Sequence, residues 1–304
     1  MFPGGPNPSK LQSAPGTTNL PLVLIHDGGG TSFAYFLLGE LKRDVWAIHD
    51  PNYWEGKTWP GGMDEMARHY IVLMRNAGIR GKILLGGWSL GGLLSMTIAR
   101  LLADDPTALL TVSGTILIDT PYHVPNAETG VRDPDMSNLP KLIQKSFQNC
   151  DIYLEHWRVP TFSGPAHGGK PVRLRGLPGE PELQRGQYLH MPVKGEGEVK
   201  QGQTYEFNEF PEKPLAPPPG VLLRGLRRAE TKSGQTEECT IDMFRDDELL
   251  GWGGRYPDFI KATYDIDSAH FDIFDKLNER KLEIVTDRIR QGVELLDMLC
   301  KSGQ

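Results

Sequence analysis

Cysteine is scarce in this chain, with three in 304 residues at Cys150, Cys239 and Cys300. An odd, scattered set with no C-x-x-C provides neither a disulfide framework nor a zinc knuckle, and it suits a reducing, cytoplasmic compartment. Long apolar runs are missing too. No stretch approaches the ~18 residues that a membrane span requires. Basic excess is absent, because 33 Lys and Arg face 39 Asp and Glu for a formal net charge of −6. That balance argues against a nucleic-acid partner, whose phosphates call for a basic surface. The glycine run Gly28-Gly29-Gly30 is not followed by Gly-Lys-Ser/Thr, so it is a poor phosphate cradle. No His or Cys pair stands at metal-ligand spacing, and no metal or cofactor of the chain's own is expected. Residues 1–19 lack a charged segment followed by an apolar one, so they do not read as a signal peptide. Their Pro, Gly, Ser and Asn content reads as a flexible leader.

What is present is an alternation. Apolar strand-like runs at Leu20–His26, Asp44–Asp50, Ile83–Leu85 and Gly114–Asp119 are interleaved with helical spacing. Helices are predicted over Tyr35–Leu41, Gly62–Gly78 and the stretch from Leu90 to Leu102. Such alternation predicts an α/β fold with a mostly parallel central sheet flanked by helices. From Pro121 to Pro219 the rhythm fails, and Pro and Gly break the segment repeatedly. Strands resume at Gly220–Leu226 and Ile260–Asp267, before a closing helix at Arg280–Leu299. The expected organisation is therefore a leader over 1–19, a core over 20–122 and 219–304, and a large inserted lid over 123–218.

The chemistry centres on Gly87-Trp88-Ser89-Leu90-Gly91. This G-x-S-x-G lies where an apolar strand turns into a helix, the elbow that presents a nucleophilic serine in α/β-hydrolases. A serine nucleophile needs a base, an acid to hold the base, and donors for the oxyanion. His270 is the best-placed base, in a short loop beyond the strand Ile260–Asp267; His123 is the weaker choice. Asp119, at the carboxyl end of the strand after the nucleophile's helix, is the favoured acid. Glu230, just past Gly220–Leu226, is its rival. The expected oxyanion donors are the N–H groups of Leu90 and Gly28. Trp88 and the lid aromatics Phe147, Tyr153, Trp157 and Phe162 are available to line an acyl pocket. Lys170, Arg173 and Arg175 form a basic stretch that could meet an acidic partner.

Several segments together resemble the product-releasing thioesterase domains of polyketide synthases and nonribosomal peptide synthetases, most closely the fungal polyketide branch. "GGWSLGG" resembles that family's elbow, "LVLIHDGGG" with Tyr35 its first strand and oxyanion segment, and "ILIDTP" its acid-bearing strand. Gly251-Trp252 and "KATYDIDSAHFDIF" resemble the segment carrying its histidine, with Ser268-Ala269 in place of the usual Gly-Asp or Gly-Asn. The resemblance covers roughly residues 20–122 and 219–300, and the lid matches nothing in it. No synthase modules precede residue 1, so a free-standing enzyme is expected, acting in trans on an acyl chain that the resemblance places on the phosphopantetheine arm of an acyl carrier protein or synthase. Release would pass through an acyl-enzyme on Ser89, by hydrolysis or cyclisation. A carboxylesterase or lipase with the same triad is the alternative reading. A catalytically silent α/β-hydrolase serving as a binding module is a third.

Overall fold

The computed structural model describes residues 5–105, 107–131, 136–194, 197–203, 215–229 and 239–302. The strands are β1 (Ser9–Gln12), β2 (Leu22–Ile25), β3 (Val45–Ile48), β4 (Gly81–Trp88), β5 (Leu110–Ile118), β6 (Val172–Arg173), β7 (Glu182–Leu183), β8 (Gln187–Met191), β9 (Glu198–Gln201), β10 (Gly220–Arg227) and β11 (Ile260–Ala269). The helices are α1 (Gly62–Asn76), α2 (Leu90–Asp104), α3 (Asn126–Thr129), α4 (Lys141–His156) and α5 (Glu279–Ser302). Nine strands form one sheet in the order β1-β3-β2-β4-β5-β10-β11-β8-β9, and β6 pairs with β7 apart from it. Among the described residues, only the two edge pairings of the large sheet, β1 with β3 and β8 with β9, are antiparallel. This is the expected α/β-hydrolase arrangement.

The core strands are apolar on both faces because both faces are covered. Along β2, Val23 and Ile25 join the cluster that packs α1 and α2, while Leu22 and Leu24 join the cluster that packs α5. In α1 the buried residues are Met63, Met66, Ala67, Tyr70, Ile71 and Met74, and in α5 they include Val285, Ile289, Val293 and Leu296. Both sets follow helical spacing, so each helix buries a single stripe against the sheet.

Three expectations are corrected. The stretch 1–19 carries β1, whose pairing with β3 is reinforced by a Lys10–Asp44 ion pair and by Gln12, which accepts the Leu41 N–H. Four residues on a sheet edge need little periodicity, so a Pro- and Gly-rich composition does not prevent them. Tyr35–Leu41 is not an α-helix; only a 3₁₀ turn forms at Phe33–Leu37, and the chain is extended by Leu38. The insertion is not all lid, since β8 and β9 extend the central sheet. Its strand β8 is hidden in the sequence because Tyr188, Leu189 and His190 are buried in succession, which breaks the alternation. The buried histidine is tolerated because its Nε2 meets Asp265 at 2.7 Å, and Arg224 holds the same carboxylate at 2.9 and 3.1 Å.

Candidate active site

Ser89 sits between β4 and α2 with φ 54° and ψ −117°, a strained conformation for a residue with a side chain. The turn is held open by glycine. A Cβ on Gly91 would stand 2.2 Å from the Ile25 carbonyl oxygen, and one on Gly87 would stand 2.4 Å from that oxygen and 2.8 Å from Gly91 itself. The elbow is tied to its neighbours on both sides. Ser89 donates its N–H to the Ile118 carbonyl, and the Thr120 hydroxyl donates to the Ser89 carbonyl. The Tyr35 hydroxyl accepts the Trp88 N–H and donates to Ile25 O, linking the end of β2 to the elbow. Ser89 is half-buried.

His270 follows β11 directly, and its Nδ1 lies 2.7 Å from Asp119 Oδ2. Both side chains are buried. Asp119, itself at φ 44°, follows β5 directly, and its N–H is fixed by the Leu223 carbonyl at 2.7 Å. Burial alone would raise its carboxyl. The hydrogen bond from His270 and the charge and hydrogen bonds of Arg245 outweigh that and hold it at about 2. The Trp88 ring lies 5.7 Å from that of His270, so the residue before the serine packs against the histidine. The rival acid Glu230 lies outside the described residues. His123, the weaker candidate base, has its Nε2 on the Leu154 carbonyl and its ring beside Trp157.

Leu90 is the first residue of α2, where an N–H has no acceptor within the helix. In the Asp27–Gly30 turn, the Gly29 N–H goes to Asp27 Oδ1 and the Gly30 N–H to Asp27 O. Gly28 is thus the glycine of that run whose N–H the turn itself does not consume. Burial pushes the Asp27 carboxyl up to about 7 against the lowering pull of the Gly29 N–H. His26 is structural, bridging the Asp27 carbonyl and the Tyr70 hydroxyl at 2.6 Å each.

The aromatics expected in an acyl pocket divide. Phe147 is brought to the site: α4 lies on the glycine loop, with the Phe147 ring 2.9 Å from where a Gly28 Cβ would stand. Ser146 donates to the Gly28 carbonyl, and Phe147 meets Phe271 edge-on at 6.4 Å. Tyr153, Trp157 and Phe162 are instead committed to core packing. The Tyr153 hydroxyl accepts the Trp59 N–H, Trp157 stacks beside His123, and Phe162 packs on Arg100 and Tyr256. The groove that Tyr153 and Trp157 help to line, with Trp59, Arg100 and Pro160, includes neither Ser89 nor His270. The basic stretch is also displaced. Lys170, Arg173 and Arg175 are exposed, but Gly176 beside them faces Met298 near the end of α5. That end of α5 meets the residues before β2, through Asp297 and the Leu20 N–H, at the opposite end of the sheet from Ser89 and His270.

Two features escaped the sequence reading. Arg245 grips Asp119 with both terminal nitrogens, at 2.6 and 2.9 Å. Trp252 donates its indole N–H to the Thr120 carbonyl at 2.9 Å, bracing the turn after Asp119. Gly-Trp was legible as a motif, but nothing in "TIDMFRDDELL" marks its arginine as aimed at a carboxylate 126 residues upstream.

Residues 20–155 match the family model described as Thioesterase domain. Over 286 residues the chain is 41% identical to the probable thioesterase KK1J of Curvularia clavata, covering 93% of this chain and 92% of that one. The chain belongs to the thioesterase family. A second relative, the probable thioesterase lcsE of Purpureocillium lilacinum, is 39% identical over 95% of this chain and 92% of its own length. Among solved structures, the NocB thioesterase domain from the nocardicin cluster aligns with a TM-score of 0.53 at 18% identity, covering 95% of this chain and 99% of that one. A four-domain nonribosomal peptide synthetase bound to AMP and glycine aligns at 0.55 and 18% identity, over 94% of this chain and 20% of the synthetase. At such identities the structures speak for the fold alone, and the fold of this thioesterase is theirs.

Proposed function

We infer that this thioesterase works as a serine hydrolase in secondary metabolism, releasing a polyketide-like acyl chain from a carrier-protein thioester. The observation that carries the reading is the buried His270–Asp119 pair at 2.7 Å beside a strained serine elbow. Ser89 Oγ attacks the thioester carbonyl as His270 Nε2 takes its proton, with Asp119 fixing the imidazole through Nδ1. The N–H groups of Leu90 and Gly28 receive the developing oxyanion. Collapse of the tetrahedral intermediate breaks the C–S bond, and His270 returns its proton to the departing thiolate of the phosphopantetheine arm. Water, or a nucleophile within the acyl chain, then attacks the Ser89 ester with His270 again as base.

The carrier or synthase supplies the acyl chain and docks at the carboxyl-end rim of the sheet, where Ser89 and His270 stand. The experiment compares turnover of an acyl-pantetheine thioester with that of its matched oxygen ester. Preference for the thioester supports the reading, and preference for the oxygen ester would make this a carboxylesterase. A fluorophosphonate probe that leaves Ser89 unlabelled would make it a silent scaffold.

A further inference from the structure

Four hydrogen bonds converge on the Asp119 carboxylate. Oδ2 accepts from His270 Nδ1 at 2.7 Å and from Arg245 Nη2 at 2.9 Å; Oδ1 accepts from Arg245 Nη1 at 2.6 Å and from the Gly225 N–H at 2.7 Å. Arg245 spends all three of its nitrogens. Nη1 also reaches the Gly225 carbonyl at 2.8 Å, Nη2 the Ile241 carbonyl at 3.2 Å, and Nε the Asp242 carboxylate at 2.9 Å. Asp119, Arg245 and Asp242 are 0%, 4% and 3% exposed. A chain of charge thus runs Asp242, Arg245, Asp119, His270 with almost no water beside it.

Orienting an imidazole needs one carboxylate oxygen in one place. The terminal torsion of an aspartate is broad, so the plane of an unrestrained carboxylate turns easily. A bidentate guanidinium removes that freedom in a way a point charge cannot. Its positive charge has an opposing effect, because in a buried site it cancels part of the field that Asp119 exerts at His270. Asp242, on the far side of the guanidinium, offsets that cation and anchors its Nε. The geometry points to Arg245 as a positioning residue of the hydrolytic site, fixing the Asp119 carboxylate plane so that Oδ2 faces His270, with Asp242 as its anchor and counter-charge. Neither residue touches the reacting atoms. The same motif recurs in Arg224, Asp265 and His190, where it ties β8 to β10 and β11. A bidentate Arg–Asp–His set can therefore serve packing alone, and the test has to separate the two roles.

The inference rests on the Ser89, His270 and Asp119 reading of the site. Steady-state kinetics on an acyl-pantetheine thioester would be measured for wild type, Ser89→Ala, Asp119→Asn, Arg245→Lys, Asp242→Ala, and each of the last two combined with Asp119→Asn. Arg245→Lys keeps the charge and loses the fork. We expect kcat to fall on the order of 10–100-fold, the scale seen when an orienting partner of a site group is lost, with KM little changed. In the Asp119→Asn background the same change should cost less than about threefold, since coupled residues are not additive. The downfield proton resonance of His270 Nδ1–H should move in Arg245→Lys while the melting curve stays cooperative. Wild-type kcat in a folded Arg245→Lys, or equal losses in both backgrounds, would overturn the proposal and leave Arg245 as packing. If Arg245→Lys does not fold, Asp242→Ala decides by the same comparison of backgrounds. Retained activity in Ser89→Ala would overturn the site reading instead, a distinct outcome.

Discussion

In the proposed mechanism single residues do the chemistry, and each is held by a neighbour that has little other freedom. Asp119 stands at the end of β5 with its backbone at positive φ, so its side chain reaches His270 from a fixed point. Asp119→Asn should leave the fold intact and lower kcat by up to ~10⁴, because an amide favours the wrong imidazole tautomer. Rate measurements beside Glu230→Gln check this; a severe loss at Glu230 and a mild one at Asp119 would move the acid to the later segment. The elbow glycines are equally committed. Gly91→Ala would press a methyl carbon to 2.2 Å from the Ile25 carbonyl oxygen, which is backbone and cannot step aside. Loss of soluble protein, or of fluorophosphonate labelling at Ser89, is the expected result. Unchanged labelling would mean that the turn is looser than its geometry indicates.

At the scale of elements, the proposed acyl pocket turns on α4. It rests on the glycine loop Gly28–Gly30 through Ser146 and Phe147, while its far end is anchored in the core by Tyr153. Phe147→Ala should therefore change acyl-chain preference, or speed Ser89 labelling by bulky probes, at little cost in stability. Trp157→Ala and Phe162→Ala should do the reverse, losing about 3–5 kcal/mol of stability, as for buried aromatics generally, with chain preference preserved. Thermal melts paired with competition between short and long acyl thioesters separate the two classes. The sequence offered all of these aromatics as equals, since one helix and the loop after it carry them. Only packing shows which of them faces Gly28. The core strands were legible because burial on both faces leaves unbroken apolar runs such as Leu22–Ile25. Strand β8 was not, because its fourth position is a buried histidine whose partner, Asp265, comes 75 residues later. Ser89, Asp119 and His270 could be read because a turn, a strand end and a loop each place them at the same rim. Arg245 could not, because its role depends on a fold that brings Gly225 and Asp119 together around it.

For the molecule as a whole, two buried carboxyls bend the pH dependence of stability in opposite directions. Asp119 is held at about 2, below the unfolded value of about 3.9, so its contribution is present above about pH 4 and is lost as the pH falls toward 2. Asp27 works in the opposite sense. Its folded carboxyl is raised to about 7, so between about pH 4 and 7 the unfolded chain binds fewer protons and stability declines as the pH rises. Asp27→Asn keeps an oxygen for the Gly29 N–H and removes that penalty. Its melting temperature should exceed that of wild type near pH 8 and equal it near pH 4. A uniform gain or loss across this range, read by thermal melts in matched buffers, would count against a protonated Asp27 in the Asp27–Gly30 turn.

The central claim, a covalent acyl-enzyme on Ser89 formed from a thioester, is tested most directly by mass. Wild-type protein mixed with an acyl-pantetheine thioester and quenched early should gain the mass of the acyl group, and peptide mapping should place it on Ser89. Ser89→Ala should gain nothing, with its kcat reduced by a factor approaching ~10⁶, the scale seen when a serine hydrolase loses its nucleophile. An acyl adduct that persists in Ser89→Ala, or a variant that keeps even about a tenth of wild-type turnover against that expectation, would contradict the account.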